Sequence, residues 1–176
     1  DVFSNYLALK YPESFNPIIP SELVYNGTKE LTENCKEFDM TFGKLVLSPT
    51  RTYSPIIKKV IEQCPKEKIN GIIHCTGGGQ TKVLNFVNKI HIIKDNLFKT
   101  PLLFDIIQKQ SNADFKEMYS VFNMGHRMEI YTDHQTADLI INIAKSFNVK
   151  AKIIGRCEPS ESKKLTIKSD FGEFIY

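Results

Sequence analysis

The chain has 176 residues, enough to bury one substantial core with an appended element. Its 41% hydrophobic and 24% charged residues are the balance of a folded globular protein, which excludes wholesale disorder. The formal charge of +3 is too small to require nucleic acid, and the seven Lys or Arg against two Glu over 145–168 read as a solvated face or as a preference for an anionic ligand.

In chain order, the first 48 residues are irregular. Pro12, Pro17 and Pro20 punctuate a segment carrying Phe3, Tyr6, Leu7, Leu9, Tyr11 and Phe15, which predicts a short helix followed by an extended surface arm. Leu23–Tyr25 continues that arm, and Phe42–Leu47 reads as a short strand. Ser54-Pro55 is an N-cap candidate followed by proline, opening a helix whose apolar face is Ile56, Ile57, Val60 and Ile61. Ile69–Cys75 reads as a buried strand. Gly77-Gly78-Gly79 then stops it, and Thr81–Asn88 reads as a helix with Val83, Leu84 and Val87 inward. Ile90–Ile93 is a return strand.

Thr100-Pro101 repeats the cap-and-proline device before Leu103, Phe104, Ile106 and Ile107. Asp114 and Glu117 fit a capping box for a helix bearing Phe115, Met118, Tyr119 and Phe122. Asn123–Gly125 is a turn into the strand Arg127–Tyr131, and Asp133 caps a helix carrying Leu139, Ile140 and Ile143. Ala151–Ile154 returns to extended structure, and Leu165–Lys168 with Glu173–Tyr176 predicts a hairpin around Asp170–Gly172. This alternation predicts an α/β fold, a mixed sheet covered by helices.

Cys35, Cys64, Cys75 and Cys157 form no CxxC pair, zinc framework or redox dithiol, so a reducing cytoplasm and no bound metal are expected. No apolar stretch has membrane-spanning length, and neither a membrane nor nucleic acid is expected as a partner. Asn26-Gly27-Thr28 matches a glycosylation acceptor but reads better as a turn.

The sharpest chemical signal is Ile69–Asn85, where an apolar run empties into His-Cys-Thr and three glycines. Backbone amides without a Cβ in the way approach oxygen ligands closely, and a following helix would add its positive end. The spacing is neither the dinucleotide fingerprint nor the Walker loop. A flexible packed turn is the plainer alternative. In a strand, His74 and Thr76 share one face while Cys75 takes the other. His74 either donates to a phosphate, transfers a proton, or is a hydrogen-bonded structural residue; Cys75 reads as core. Arg51, with Thr50 beside it, either clamps a phosphate or lies on the surface. Asn123 either presents its amide to a substrate or closes its turn. The four histidines form no metal-binding cluster.

The segments PTRTY at 49–53, GIIHCTGGG at 71–79, TPLLF at 100–104, EMYSVFNMG at 117–125 and IIGR at 153–156 occur in an order that covers about two-thirds of the chain. Together they resemble the C-terminal domain of the phosphoribosylformylglycinamidine cyclo-ligase (aminoimidazole ribonucleotide synthetase) family. The resemblance implies a partly ferredoxin-like mixed sheet. It implies an arm and linker at 1–48, a substrate-side domain at 49–176, and an absent upstream domain that binds ATP with Mg2+. The start at Asp1 is compatible with processing, and with the resemblance it favours a fragment.

The intact enzyme would use ATP to close the ring of formylglycinamidine ribonucleotide, giving aminoimidazole ribonucleotide in de novo purine synthesis. This chain alone is expected to be inactive and to bind neither ATP nor Mg2+ tightly. Implied partners are the phosphorylated ribonucleotide, the upstream domain and a second copy in a homodimer. His74 is the implied catalytic residue; Thr50, Arg51, Thr76, Gly77, Gly78, Gly79 and Asn123 are the implied substrate wall. Gln80, the Lys82–Asn85 continuation, His126 and Arg127 depart from the family pattern. Alternatives are a related enzyme of the same ATP-using superfamily, or a noncatalytic phosphometabolite-binding or assembly domain.

Overall fold

Buried apolar residues collect in separate clusters, and the backbone divides accordingly into two units. The computed structural model describes residues 2–176. Its elements in order are α1 (Tyr6–Lys10), β1 (Asn34–Cys35), β2 (Met40–Thr41), α2 (Phe42–Val46), α3 (Ser54–Gln63), β3 (Ile69–His74), β4 (Ile90–Lys94), α4 (Leu102–Ser111), α5 (Phe115–Val121), β5 (Met128–Thr132), α6 (His134–Ser146), β6 (Gly155–Pro159), β7 (Lys164–Ser169) and β8 (Gly172–Ile175). The fold is α/β, with a mixed sheet covered by helices.

The first unit joins the residues up to Thr50 with Thr100–Phe115. The sequence division at 48/49 leaves 100–115 with the second part, whereas this grouping gives α4 to the first. Phe3 bridges Lys29, and Val2, Phe3 and Leu7 are buried with Cys35, Phe42 and Leu45. Leu103, Ile106 and Ile107 of α4 pack on that cluster, and Gln110 accepts from both the Thr28 amide and hydroxyl. The expected strand over Phe42–Leu47 is the helix α2 instead. Thr41 caps it by accepting from the Lys44 amide, and the buried Phe42 and Leu45 stand at helical i, i+3 spacing.

The second unit comprises Arg51–Lys99 and Lys116–Tyr176. β3 and β5 pair antiparallel, and a four-stranded sheet runs β6-β4-β7-β8 with β4 parallel to β7. Ile56 and Val60 of α3 meet Ile140 and Ile143 of α6 over Ile69 and Ile130 of the β3–β5 pair. Asp133 caps α6 by accepting from the Thr136 amide at 2.8 Å. On the larger sheet, the Tyr119 ring of α5 packs 5.7 Å from Phe174 of β8. The terminal hairpin forms as the sequence reading predicts, with Ser169 opposite Gly172.

Two further expectations fail here. Thr81–Asn88 is no α-helix: it holds a 3-10 turn at Lys82–Asn85, closed by i→i+3 bonds from Leu84 to Thr81 and from Phe86 to Val83. Ala151–Ile154 is not a strand either; β6 begins at Gly155. The Ile154 carbonyl accepts the amides of Asp95 and Asn96, and a Cβ on Gly155 would lie 1.9 Å from the Ile93 carbonyl oxygen. Pairing therefore starts at the one residue that permits so close an approach.

Leu165 of β7 has no exposed surface. Leu165→Ala is expected to cost ~2–5 kcal/mol of unfolding free energy, read as a lower denaturant midpoint at unchanged slope.

Candidate functional site

The site begins where β3 ends. His74 and Thr76 are exposed and Cys75 between them is buried, as strand alternation requires. Burial pushes the Cys75 thiol up to about 12, which removes it as a nucleophile near neutral pH. The His74 ring stands edge-on to Tyr53, ring centres 6.3 Å apart. Lys82, which the sequence reading passed over, reaches back from the 3-10 turn. Its ammonium donates to the Thr76 hydroxyl at 2.8 Å and to the His74 carbonyl at 3.1 Å.

The three glycines are not equivalent. The Gly79 amide donates to the Thr76 carbonyl at 3.0 Å, and Gly79 is buried in the left-handed region at φ +49. Gly77 and Gly78 are exposed, and neither amide has a hydrogen-bond partner among the described residues. The donors left open at this turn are therefore the Gly77 and Gly78 amides, with the Lys82 ammonium beside them. The expected helix end does not contribute, because no α-helix follows.

Behind the turn lies a buried polar network. Gln80 is 1% exposed; its backbone amide donates to the Tyr119 carbonyl and its side-chain Nε2 to the Asn123 carbonyl. Lys94 at the end of β4 donates three ways, to the Gln80 carbonyl at 2.9 Å, to Gln80 Oε1 at 3.3 Å and to Glu129 Oε1 at 2.6 Å. The Tyr131 hydroxyl donates to the other Glu129 oxygen at 2.6 Å. Burial, with Glu129 alongside, raises the Tyr131 phenol far above its ordinary range, so it remains a donor. The available signal for Lys94 and Glu129 was a charged residue closing or interrupting an apolar strand.

Asn123 closes its turn: its Oδ1 accepts from the Gly125 amide at 2.9 Å. His126 is buried, and its Nε2 accepts from the Phe98 amide at 3.1 Å. Burial pulls its pKa down to about 4. Arg127, the next residue, is exposed. It lines a cleft of about 300 Å³ with Arg51 and Lys150. Thr50 is exposed and is the last residue of its segment of the first unit. Thus β3 and its turn bring together His74, Thr76, Gly77 and Gly78, while Gly79 and Asn123 spend their donor or acceptor groups within the fold. Among the described residues, no three His, Cys, Asp or Glu are arranged to hold a metal ion, and no helix is long and apolar enough to cross a membrane.

Residues 29–168 match the family model described as AIR synthase related protein, C-terminal domain. The chain belongs to this family. It is 32% identical over 143 residues to a phosphoribosylformylglycinamidine cyclo-ligase of Carboxydothermus hydrogenoformans, covering 80% of this chain and 41% of that protein. It is 33% identical over 123 residues to the Methanocaldococcus jannaschii cyclo-ligase, covering 66% and 34%. This AIR synthase-related chain therefore spans about two fifths or less of the length of these curated relatives. The crystal structure of Escherichia coli HypE, a hydrogenase maturation protein, shares the fold with a TM-score of 0.50 at 17% identity, over 70% of this chain and 38% of that one.

A Cβ on Gly79 would meet the Phe122 and Tyr119 carbonyl oxygens at 2.5 and 2.6 Å, whereas one on Gly77 meets nothing within 4 Å. Gly79→Ala should therefore destabilise by at least ~1–3 kcal/mol, and Gly77→Ala should stay within about 0.5 kcal/mol of wild type in denaturant melts.

His126 binds a proton less readily when folded than at its ordinary 6.5, so the unfolded chain holds more protons between pH 6.5 and about 4. Stability should fall by up to ~3 kcal/mol as pH drops through that window and level off below it. His126→Gln should flatten the slope in a pH series of unfolding midpoints.

Proposed function

We propose that the protein carrying this chain is an ATP-dependent phosphoribosylformylglycinamidine cyclo-ligase, and that this chain forms its C-terminal, substrate-side domain. The observation that carries the reading is the pair of open amides at Gly77 and Gly78 beside His74, Thr76 and Lys82, in a chain of the AIR synthase-related family. The similarity to named cyclo-ligases supports this choice of reaction within the family.

An amide oxygen is a poor leaving group, and ATP supplies the phosphoryl group that makes the formyl oxygen a good one. The amidine nitrogen then attacks the formyl carbon, the carbon–oxygen bond breaks, and phosphate leaves. Both reacting groups sit on one substrate, so the protein's task is alignment and charge stabilisation rather than covalent catalysis. Here the Gly77 and Gly78 amides and the Lys82 ammonium hold the anionic oxygens. Thr76 orients that ammonium, and His74 moves a proton to or from the closing ring. Arg51, Gly79 and Asn123 complete the substrate wall, the last two by fixing the backbone.

We assign Mg2+ and ATP to an upstream domain, a reading supported by matched cyclo-ligases of which this chain covers only 41% and 34%. We place the intact protein in the cytoplasm as a homodimer.

ADP release is the decisive assay. The intact protein should release ADP only when formylglycinamidine ribonucleotide is present, and the 176-residue chain alone should not. In the intact protein His74→Asn should lower kcat by ~10²-fold or more with a smaller change in KM. Full turnover by the chain alone, or an unaltered pH–rate profile in the variant, would overturn the corresponding assignment.

A further inference from the structure

Within the second unit, Arg51, Arg127 and Lys150 line one cleft, and no carboxylate lines it. All three are exposed, and none of their charged side-chain groups has an ion-pair or hydrogen-bond partner among the described residues. Some other cations of this unit are ion-paired, Lys68 with Asp133, Arg156 with Asp95 and Glu158, and Lys168 with Glu173; here three share one cleft with no carboxylate among its lining residues. Converging cations without a counter-charge repel one another, and an anion removes that repulsion. Two guanidiniums and an ammonium suit the oxygens of a phosphomonoester dianion.

The cleft is also a mouth. Tyr53, Phe98, Arg127 and Lys150 line both it and a cavity of about 490 Å³ that runs inward along β5. That volume falls within the range of small-molecule sites, about 300–1,000 Å³. Its walls are mainly apolar, with Ile56, Ile140 and Ala151 among them. The Glu129 and Lys94 groups at its inner side are consumed by their own network, so the interior offers ring-sized apolar space rather than a second ion site.

We propose that this mouth and cavity bind a nucleoside monophosphate, its phosphate held by Arg51, Arg127 and Lys150 and its planar base lying in the cavity past Tyr53 and Phe98. The site needs neither ATP nor a second domain. It shares Arg51 with the substrate wall but does not depend on the cyclisation chemistry.

Calorimetric titration of the full chain tests this with adenosine 5′-monophosphate, ribose 5-phosphate, adenosine and inorganic phosphate as probes. The monophosphate should bind most tightly, and adenosine, lacking the phosphate, at least tenfold more weakly. Arg127→Met and, at a second exposed position, Lys150→Met should each raise its Kd by roughly 10–100-fold without altering the melting temperature. Ala151→Phe should abolish the preference for the monophosphate over inorganic phosphate by filling the cavity. Equal affinity for those two anions in the wild-type chain would mark a free-phosphate site and overturn the proposal. So would the absence of saturable binding, or wild-type Kd in both mouth variants. Saturable, Arg127-dependent binding alongside an intact protein that fails to cyclise its substrate would sink the cyclo-ligase reading alone. Cyclisation by a protein with no monophosphate binding in this cavity would sink only this one.

Discussion

An ammonium group buried between two sheets has to find an acceptor for every proton it carries, because an unpaired charge there would cost several kcal/mol. Lys94 meets that demand with the Gln80 carbonyl, Gln80 Oε1 and Glu129. The solution ties three parts of the chain together: β4 of the four-stranded sheet, β5 of the antiparallel pair, and the residue that follows the glycines. Gln80 is thereby pinned, and with it the backbone that turns out of β3. Gln80 is thus the side chain that couples the glycine turn to the core. Its polarity is explained by Lys94 beneath it.

The same coupling divides the labour among the glycines. Gly79 is packed against the carbonyls at the end of α5, and its amide is consumed by Thr76. Holding that residue fixed leaves Gly77 and Gly78 facing outward with unused donors. A glycine turn after a strand often leads into a helix end, whose amides carry a partial positive charge. This one is followed only by a 3-10 turn, and Lys82 brings a full charge to the place where a helix dipole would bring about half of one.

His126 shows why burial matters as much as residue type. An imidazole at the start of a strand looks like a titrating group near neutral pH. Enclosed, and accepting from the Phe98 amide, it stays neutral and serves as a fixed acceptor that ties Phe98 to the β5 end. Arg127, one position on, takes the opposite direction into solvent, so two adjacent polar residues have separate consequences.

Much of the fold was legible because local rules and burial agree. Asp133 caps α6, and Pro55 lies in the first turn of α3, although Ser54 is already helical there and makes no cap bond, Tyr53 standing at the N-cap. The apolar runs at Ile69 and Ile90 form β3 and β4, and Asp170–Gly172 turns the final hairpin. The failures sit where a cap or a close contact overrides a short pattern: Thr41 caps an apolar run as α2, Thr81 and Val83 close a 3-10 turn where the pattern predicts a helix, and close approach to Ile93 delays β6 until Gly155. In the site, alternation alone set His74 and Thr76 outward and Cys75 inward, since a strand has only two faces. Which charges meet in the core, and that Arg51, Arg127 and Lys150 share a cleft, were decided by the approach of segments far apart in sequence. No local spacing encodes such meetings, because they exist only once the two sheets have closed on Lys94.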